Sequence, residues 1–168
     1  MLKPVARGAV RASQGKFAIV AAQYNREYTD ALVDNAVAEL KKAGAVIIEI
    51  IRVPGAFEVP VVAGRLTAAN HPKFDVILCF GVILQGATSH AQNIAQSVSD
   101  ALALLQIQRG VPIIHGVLHF ENEEQARVRC LGSEHNRGRE AARTALEMAE
   151  VQRNLKKYFR KNKTAAVR

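Results

Sequence analysis

A chain of 168 residues, of which 49% are apolar and 23% charged, is long enough to fold as one domain on its own hydrophobic core. Two cysteines are too few for a disulfide framework, and without a long apolar run or a signal-peptide pattern we expect a cytoplasmic protein that neither spans a membrane nor is secreted. The net charge of +8 comes from the two ends of the chain, because residues 1–16 and 152–168 together carry +11 whereas residues 17–151 carry −3. This distribution argues against a nucleic-acid-binding surface on residues 17–151.

The first half of the chain alternates between apolar runs and helical periods. Residues 16–22 form an apolar run, and the helical stripe that follows them predicts a helix that stops near Gly44. Residues 45–53 are rich in β-branched side chains and predict a second strand. Residues 59–69 predict a second helix, with Pro60 at one of its first positions.

The third strand and third helix are predicted from the middle of the chain. Residues 75–80 form the third apolar run, and the glycines at both ends of residues 81–86 indicate a loop. Thr88 or Ser89 is expected to cap the long helix that follows, and Gly110 is expected to end it.

The last part of the chain repeats the alternation. Residues 111–118 predict a fourth strand, and Asn122 with Gln125 three residues later indicates a capped short helix. Residues 140–158 predict a final amphipathic helix.

Four apolar strands separated by helices indicate a parallel sheet covered on both faces. We therefore predict an α/β fold, a three-layer α/β/α sandwich with a central four-stranded parallel sheet of the flavodoxin-like kind. Residues 16–158 are predicted to form this single domain, flanked by a flexible basic arm at 1–15 and a basic tail at 159–168.

A ligand of such a sheet lies at the carboxyl ends of its strands. The segments to inspect are therefore 23–28, 54–58, 81–90 and 115–121, and each contains aromatic, polar or glycine residues. Residues 86–89 open a helix directly after a strand, so their backbone amides and hydroxyls suit an anion such as phosphate. An ordinary capped helix start explains the same fragment equally well.

The charged and titratable candidates also have two explanations each. His90 is a partly exposed polar residue or, because it follows residues 86–89, a proton-transfer group beside a bound anion. Glu58 is explained equally well as an acid in the first turn of a helix, where its charge complements the helix dipole. Arg129 and Arg137 are also explained as solvated helix charges.

Four fragments of the chain, taken in order, resemble one enzyme family over about residues 17–150. The chain is similar to the 6,7-dimethyl-8-ribityllumazine synthases, and the resemblance rests on residues 53–60, residues 81–90, Gly116-Val117-Leu118 with Glu124-Gln125-Ala126, and Asn136-Arg137-Gly138. The resemblance implies a transferase of riboflavin biosynthesis. It would condense 5-amino-6-ribitylamino-2,4-pyrimidinedione with 3,4-dihydroxy-2-butanone 4-phosphate, with no metal or organic cofactor.

The resemblance also implies a role for individual residues. Tyr24 would stack on the pyrimidinedione, His90 would transfer protons, and Arg129 would bind phosphate. The remaining implied contacts are Ala56, Phe57 and Glu58 along the ribityl chain, Val82, Ile83 and Leu84 against the heterocycle, Gly86, Ala87 and Thr88 at the phosphate, and His115 and Arg137 from a neighbouring subunit.

Several positions depart from the family pattern. Ala91 and Gln92 follow His90 where an aromatic residue and then a carboxylate are common, Gln85 stands at a position that is usually basic, and His115 stands where phenylalanine is frequent. A non-catalytic lumazine- or flavin-binding or shell-forming member of the fold therefore stays open as an alternative. A weaker third hypothesis is nucleic-acid binding through the basic ends.

The resemblance implies a homo-oligomer whose smallest active form is a ring of five subunits. Residues 129–138 align without insertion to relatives that stack twelve such rings, which favours a sixty-subunit icosahedral particle over a pentamer or a decamer. The expected partners are the two small substrates, other copies of the chain and riboflavin synthase.

Overall fold

A computed structural model of the chain describes residues 15–68 and 74–165. Four parallel strands form one sheet in the order β2-β1-β3-β4. The strands are β1 (Lys16–Ala22), β2 (Ile47–Val53), β3 (Val76–Leu84) and β4 (Ile113–Phe120). The helices are α1 (Arg26–Lys42), α2 (Val59–Leu66), α3 (His90–Arg109), α4 (Glu123–Cys130) and α5 (Arg137–Ala165), and a single 3₁₀ turn, Ala56–Glu58, precedes α2.

Helices cover both faces of the sheet, because the strands are apolar on both sides. One core cluster joins side chains of α1, α4 and α5 to the sheet, and we call these helices the arginine layer because α4 and α5 carry Arg129 and Arg137. The second cluster joins side chains of α2, α3 and the 3₁₀ turn to the other face, and we call these the loop layer. The predicted three-layer sandwich with a central four-stranded parallel sheet is confirmed.

Local signals in the sequence place several element ends correctly. Gly110 ends α3 in a left-handed conformation with φ +63°, and its N–H donates to the carbonyl of Gln106. The Asn122 side chain accepts a hydrogen bond from the N–H of Gln125 at 2.9 Å, so the predicted cap of α4 is confirmed. These signals succeed because each cap is made within a few residues of the helix end.

Three predicted boundaries are wrong. The loop expected at 81–86 is strand as far as Leu84, because Val82 and Ile83 are buried and pair with β4. Helix α2 ends at Leu66, before the predicted end at residue 69, which lies outside the described residues. Helix α5 begins at Arg137 and runs on to Ala165, whereas the sequence predicts a helix over residues 140–158.

The remaining differences between the predicted and observed elements are small. Strand β4 lies two residues further along the chain than predicted, at Ile113–Phe120. Ser89 occupies the cap position of α3 without a side-chain cap hydrogen bond, whereas the Thr88 hydroxyl accepts a hydrogen bond from the N–H of His90 at 3.4 Å. Of the predicted N-terminal arm, residues 1–14 lie outside the described residues, as do residues 166–168 of the predicted tail.

Candidate functional site

The segment after β1 connects the carboxyl ends of three strands. The N–H of Tyr24 donates to the carbonyl of Pro54, just beyond β2, at 3.2 Å. Asn25 has a left-handed backbone with φ +53°, and its Nδ2 donates to the carbonyl of Val82 in β3 at 2.8 Å. Asn25 therefore fixes the start of α1 against β3, a role that our prediction did not assign to it. Its signal in the sequence was an asparagine directly before a helix, a residue type that tolerates this backbone.

The turn after β2 presents aromatic and acidic groups beside Tyr24. A β-carbon placed on Gly55 would lie 3.1 Å from Tyr24 Cδ2, so the tyrosine ring packs closely over the glycine backbone. Tyr24 is 71% exposed and Phe57 is 61% exposed, so both rings are open to a ligand. Glu58 accepts a hydrogen bond from the N–H of Gly55 at 2.9 Å through Oε2, which gives its carboxylate a structural role in the turn.

Three of the predicted contact residues have buried side chains. Ala56 is 8% exposed, Val82 3% and Ile83 8%, and each belongs to a core cluster. Leu84 is partly buried against the arginine layer. A ligand at this edge would therefore meet the backbone of these residues, with only limited access to their side chains.

Residues 86–89 and His90 lie at the surface, directly after β3. Gly86, Ala87, Thr88 and His90 are all exposed, as expected for a loop that binds a small anion. The imidazole of His90 makes no hydrogen bond or ion pair with any residue that the structure describes, so its nitrogens are open to substrate.

His115 lies in β4 on the face that α3 covers. The Ser99 hydroxyl donates to the carbonyl of Ala95 at 2.7 Å, so it accepts the proton of His115 Nε2 at 2.8 Å. Although the residue keeps an exposed edge, desolvation lowers the pKa of His115 from its usual 6.5, partly opposed by a backbone hydrogen bond. Burial therefore favours the neutral imidazole, and in that form the contact with Ser99 favours the tautomer that carries its proton on Nε2.

The two arginines lie in the other helical layer. Arg137 donates to Glu140 Oε2 at 2.6 Å, and Arg129 lies 4.0 Å from the same oxygen. Within the described part of the chain, neither arginine forms a hydrogen bond or ion pair with residues 86–90. The structure therefore places Tyr24, the 3₁₀ turn and His90 at one edge of the sheet but does not bring the arginines into contact with them.

A surface depression of about 380 Å³ lies apart from these residues, at the turn between α4 and α5. Its lining contains none of the predicted contact residues, and it consists of Arg127, Val128, Leu131, Gly132, Ser133, Glu134 and His135. Among the described residues, no three His, Cys, Asp or Glu side chains are grouped so that they could hold a metal ion. No helix in the same part of the chain is both long and apolar enough to cross a membrane.

Comparison with known proteins identifies the family. The family model for 6,7-dimethyl-8-ribityllumazine synthase matches residues 14–153. The synthase of Desulfotalea psychrophila is 38% identical over 146 residues, which cover 86% of this chain and 93% of that protein. The synthase of Stenotrophomonas maltophilia is 41% identical over 138 residues, which cover 81% of this chain and 88% of that protein. The chain belongs to the 6,7-dimethyl-8-ribityllumazine synthase family.

Proposed function

We propose that the edge formed by Tyr24, the 3₁₀ turn and residues 86–90 is the active site of a lumazine-forming transferase. Membership of the family makes the chain an enzyme of riboflavin biosynthesis. It condenses 5-amino-6-ribitylamino-2,4-pyrimidinedione with 3,4-dihydroxy-2-butanone 4-phosphate and releases phosphate and water. The observation that carries the assignment of the site is the convergence of three strand ends on Tyr24 and Asn25.

The pyrimidinedione is assigned to the aromatic side of this edge. Tyr24 stacks on the ring, an interaction that suits its open face. Phe57 and Glu58 lie along the ribityl chain with the backbone of Ala56. The Glu58 oxygen Oε1, which bonds to no residue that the structure describes, accepts from a ribityl hydroxyl. The buried residues Val82 and Ile83 and the partly buried Leu84 contact the heterocycle mainly through their backbone.

The phosphate is assigned to the start of α3. Gly86, Ala87 and Thr88 supply backbone amides and a hydroxyl, and the positive end of the helix dipole favours an anion there. Arg129 supplies a forked guanidinium that matches phosphate oxygens. His90 lies within one turn of this anion and transfers the protons of the reaction.

The chemistry needs few protein groups. The substrate amine attacks the ketone and forms an imine with loss of one water, phosphate leaves by elimination, and the ribitylamino nitrogen closes the ring on the carbonyl that results, with loss of a second water. Each step moves protons, for which His90 is the available base and acid. Both substrates are reactive, so alignment and proton transfer are the main contributions of the protein, and no metal or organic cofactor is invoked.

The complete site requires more than one subunit. Arg129 and Arg137 belong to the arginine layer, whereas His90 begins a helix of the loop layer on the opposite face of the sheet. We assign these arginines and His115 to the site of an adjacent subunit, in a ring of five. The exposed Val128 in the last turn of α4 and Leu131 directly after α4 supply apolar area for contacts between rings in a sixty-subunit particle. Riboflavin synthase is the proposed protein partner and the cytoplasm the proposed location.

Product formation tests the proposed reaction directly. Purified protein without added metal should form the lumazine, detected by its absorbance, faster than the two substrates condense alone. His90→Ala should lower kcat by about 10- to 100-fold, because general acid and base catalysis is lost while part of the chemistry proceeds unaided. His135→Ala, an exposed histidine outside the proposed site, is the matched control. A wild-type rate equal to the spontaneous one would refute catalysis and favour a binding or shell-forming protein.

Light scattering with electron microscopy tests the assembly. We expect rings of five and closed particles of twelve rings. Isolated pentamers at every concentration would reject the particle and keep the ring, whereas an active monomer would contradict the shared site.

A further inference from the structure

The side chain of Gln85 lies beneath the exposed loop of residues 86–89. Its Nε2 donates one hydrogen bond to the carbonyl of Gly86 at 2.7 Å and a second to the carbonyl of Thr88 at 2.9 Å. Its backbone N–H donates to the carbonyl of Phe120 at 2.8 Å and so continues the pairing of β3 with β4. The residue thus holds two loop carbonyls from an anchored position at the end of the sheet.

His119 fixes the orientation of this amide. The Nε2 of His119 lies 3.0 Å from Gln85 Oε1, and because both Nε2 hydrogens of Gln85 are donated to carbonyls, the histidine must be the donor. His119 is partly buried in β4, beside Ile83 of β3. Every hydrogen of the Gln85 amide is therefore used, and the amide cannot flip without losing both carbonyl contacts.

The two carbonyl contacts determine where the loop amides point. In a trans peptide the N–H points away from the carbonyl of the same unit, and all described peptide bonds are trans. With the carbonyls of Gly86 and Thr88 turned toward Gln85, the N–H groups of Ala87 and Ser89 point away from it. Neither N–H donates to a protein group in the described part of the chain, so both are available to an anion.

We propose that Gln85, oriented by His119, is a positioning residue that holds the N–H groups of Ala87 and Ser89 ready for the phosphate of the four-carbon substrate. This inference rests on the proposed function, which assigns that phosphate to the loop. Gln85 acts through the loop and does not touch the substrate, since its amide hydrogens are already donated to loop carbonyls. The pair contributes preorganisation, which lowers the entropic cost of ordering the loop around the anion.

The primary test is Gln85→Met, which keeps the length of the side chain and removes its hydrogen bonds. We expect the KM for 3,4-dihydroxy-2-butanone 4-phosphate to rise about tenfold, with the KM for the pyrimidinedione changed less than about twofold, because only the phosphate loop is released. Binding of inorganic phosphate, measured by calorimetry, should weaken to a similar extent. Gln96→Met is the matched control, since Gln96 is an exposed glutamine of α3 that bonds only Asp100 among the described residues.

His119 variants test the second half of the pair. His119→Leu removes the donor to Gln85 and should raise the KM for 3,4-dihydroxy-2-butanone 4-phosphate by about half of the Gln85→Met effect on a logarithmic scale. His119→Gln retains an N–H donor, so its KM for this substrate should lie close to the wild-type value. Hydrogen–deuterium exchange of peptides that cover residues 86–89 should become faster in Gln85→Met and His119→Leu. This readout needs no substrate and reports the loop alone.

The outcomes separate this inference from the proposed function. Wild-type protein that forms product and binds phosphate, with Gln85→Met unchanged in KM and in exchange, overturns the positioning role and leaves the function intact. Equal increases in KM for both substrates indicate general damage to the fold and also overturn it. Wild-type protein that neither forms product nor binds phosphate contradicts the proposed function itself, and the inference with it.

Discussion

The loop layer and the arginine layer hold their candidate residues in different ways. In the loop layer, the segment that leads to His90 is fixed by hydrogen bonds from Asn25 to Val82 and from Gln85 to Phe120, which join segments far apart in the sequence, and by local bonds from the Gln85 amide to the loop. In the arginine layer, Arg137 donates to the Glu140 carboxylate at 2.6 Å and Arg129 lies 4.0 Å from the same oxygen, so one carboxylate offsets only part of the charge of the two guanidinium groups.

This difference fits the proposed division of the site between subunits. The edge that we assign to the substrates is formed by one chain, whereas the two arginines lie in a helical layer that the sheet separates from His90. In the proposed site, a phosphate dianion would compete with the Glu140 carboxylate for the guanidinium groups. The four experiments below test this division, from the largest expected effect to the smallest.

Gly138→Ala should disrupt the arginine layer. A β-carbon at this position would collide with the backbone carbonyl of Leu32, where α5 crosses α1. We expect a loss of about 3 kcal/mol in the free energy of unfolding, measured with urea, because two helices must separate. Gly64→Ala in the loop layer is the control, since its β-carbon would meet Leu105 at an ordinary 3.8 Å. Equal stability of Gly138→Ala and wild type would show that α1 and α5 can move apart without a measurable loss of stability.

Arg129→Ala should selectively weaken binding of the phosphate substrate. Loss of one charge-assisted contact is expected to cost about 2 kcal/mol, equivalent to a rise of roughly 30-fold in KM for that substrate, with little change for the pyrimidinedione. Steady-state kinetics measure both constants. Arg127→Ala is the control, because Arg127 lies on the same helix and pairs with Glu124 at 2.9 Å. Equal losses for both substrates would assign Arg129 a structural role.

Mixed oligomers should recover more of the wild-type activity than either parent retains, when the rate is measured at phosphate-substrate concentrations well below the wild-type KM, where both parents are impaired. Co-expressed His90→Ala and Arg129→Ala subunits, purified through two different tags, combine at random in a ring. If each site takes its loop from one subunit and its arginine from the next, about one quarter of the sites are intact. Activity near that fraction supports the division. Activity no higher than that of the separate variants would place both residues in the same subunit's site.

Substitution of His115 should have the smallest effect of the four, a change in how the free energy of unfolding depends on pH. The pKa of His115 is lowered in the folded state, so the unfolded chain takes up its proton first as the pH falls below about 6.5. The free energy of unfolding of the wild type should therefore decrease more between pH 7 and pH 5 than that of His115→Gln, which retains an N–H donor toward Ser99. Urea titrations at the two pH values measure the difference. An equal decrease in the free energy of unfolding of the two proteins would show that the desolvated imidazole of His115 does not cause the pH dependence.

The error at residues 81–86 shows why glycine is an ambiguous signal. Gly81 was interpreted as the start of a loop, but it lies inside β3. A β-carbon there would lie 3.3 Å from the Ala56 β-carbon and 3.4 Å from a methyl group of Val117, so close packing at this point of the strand favours glycine. Neither neighbour is close in sequence, and a local rule therefore cannot tell this glycine from one in a turn.

The sequence by itself determined the alternation of strands and helices, the caps at Asn122 and Gly110, and the family, because these depend on local periodicity and on the order of motifs. Only the tertiary structure decided which distant residues meet. Gln85 and His119 are 34 positions apart and become partners because β3 lies beside β4, and Asn25 reaches Val82 because β1 lies beside β3. Strand order is fixed by burial of the whole chain, whose contacts between distant segments leave no periodic trace in the sequence.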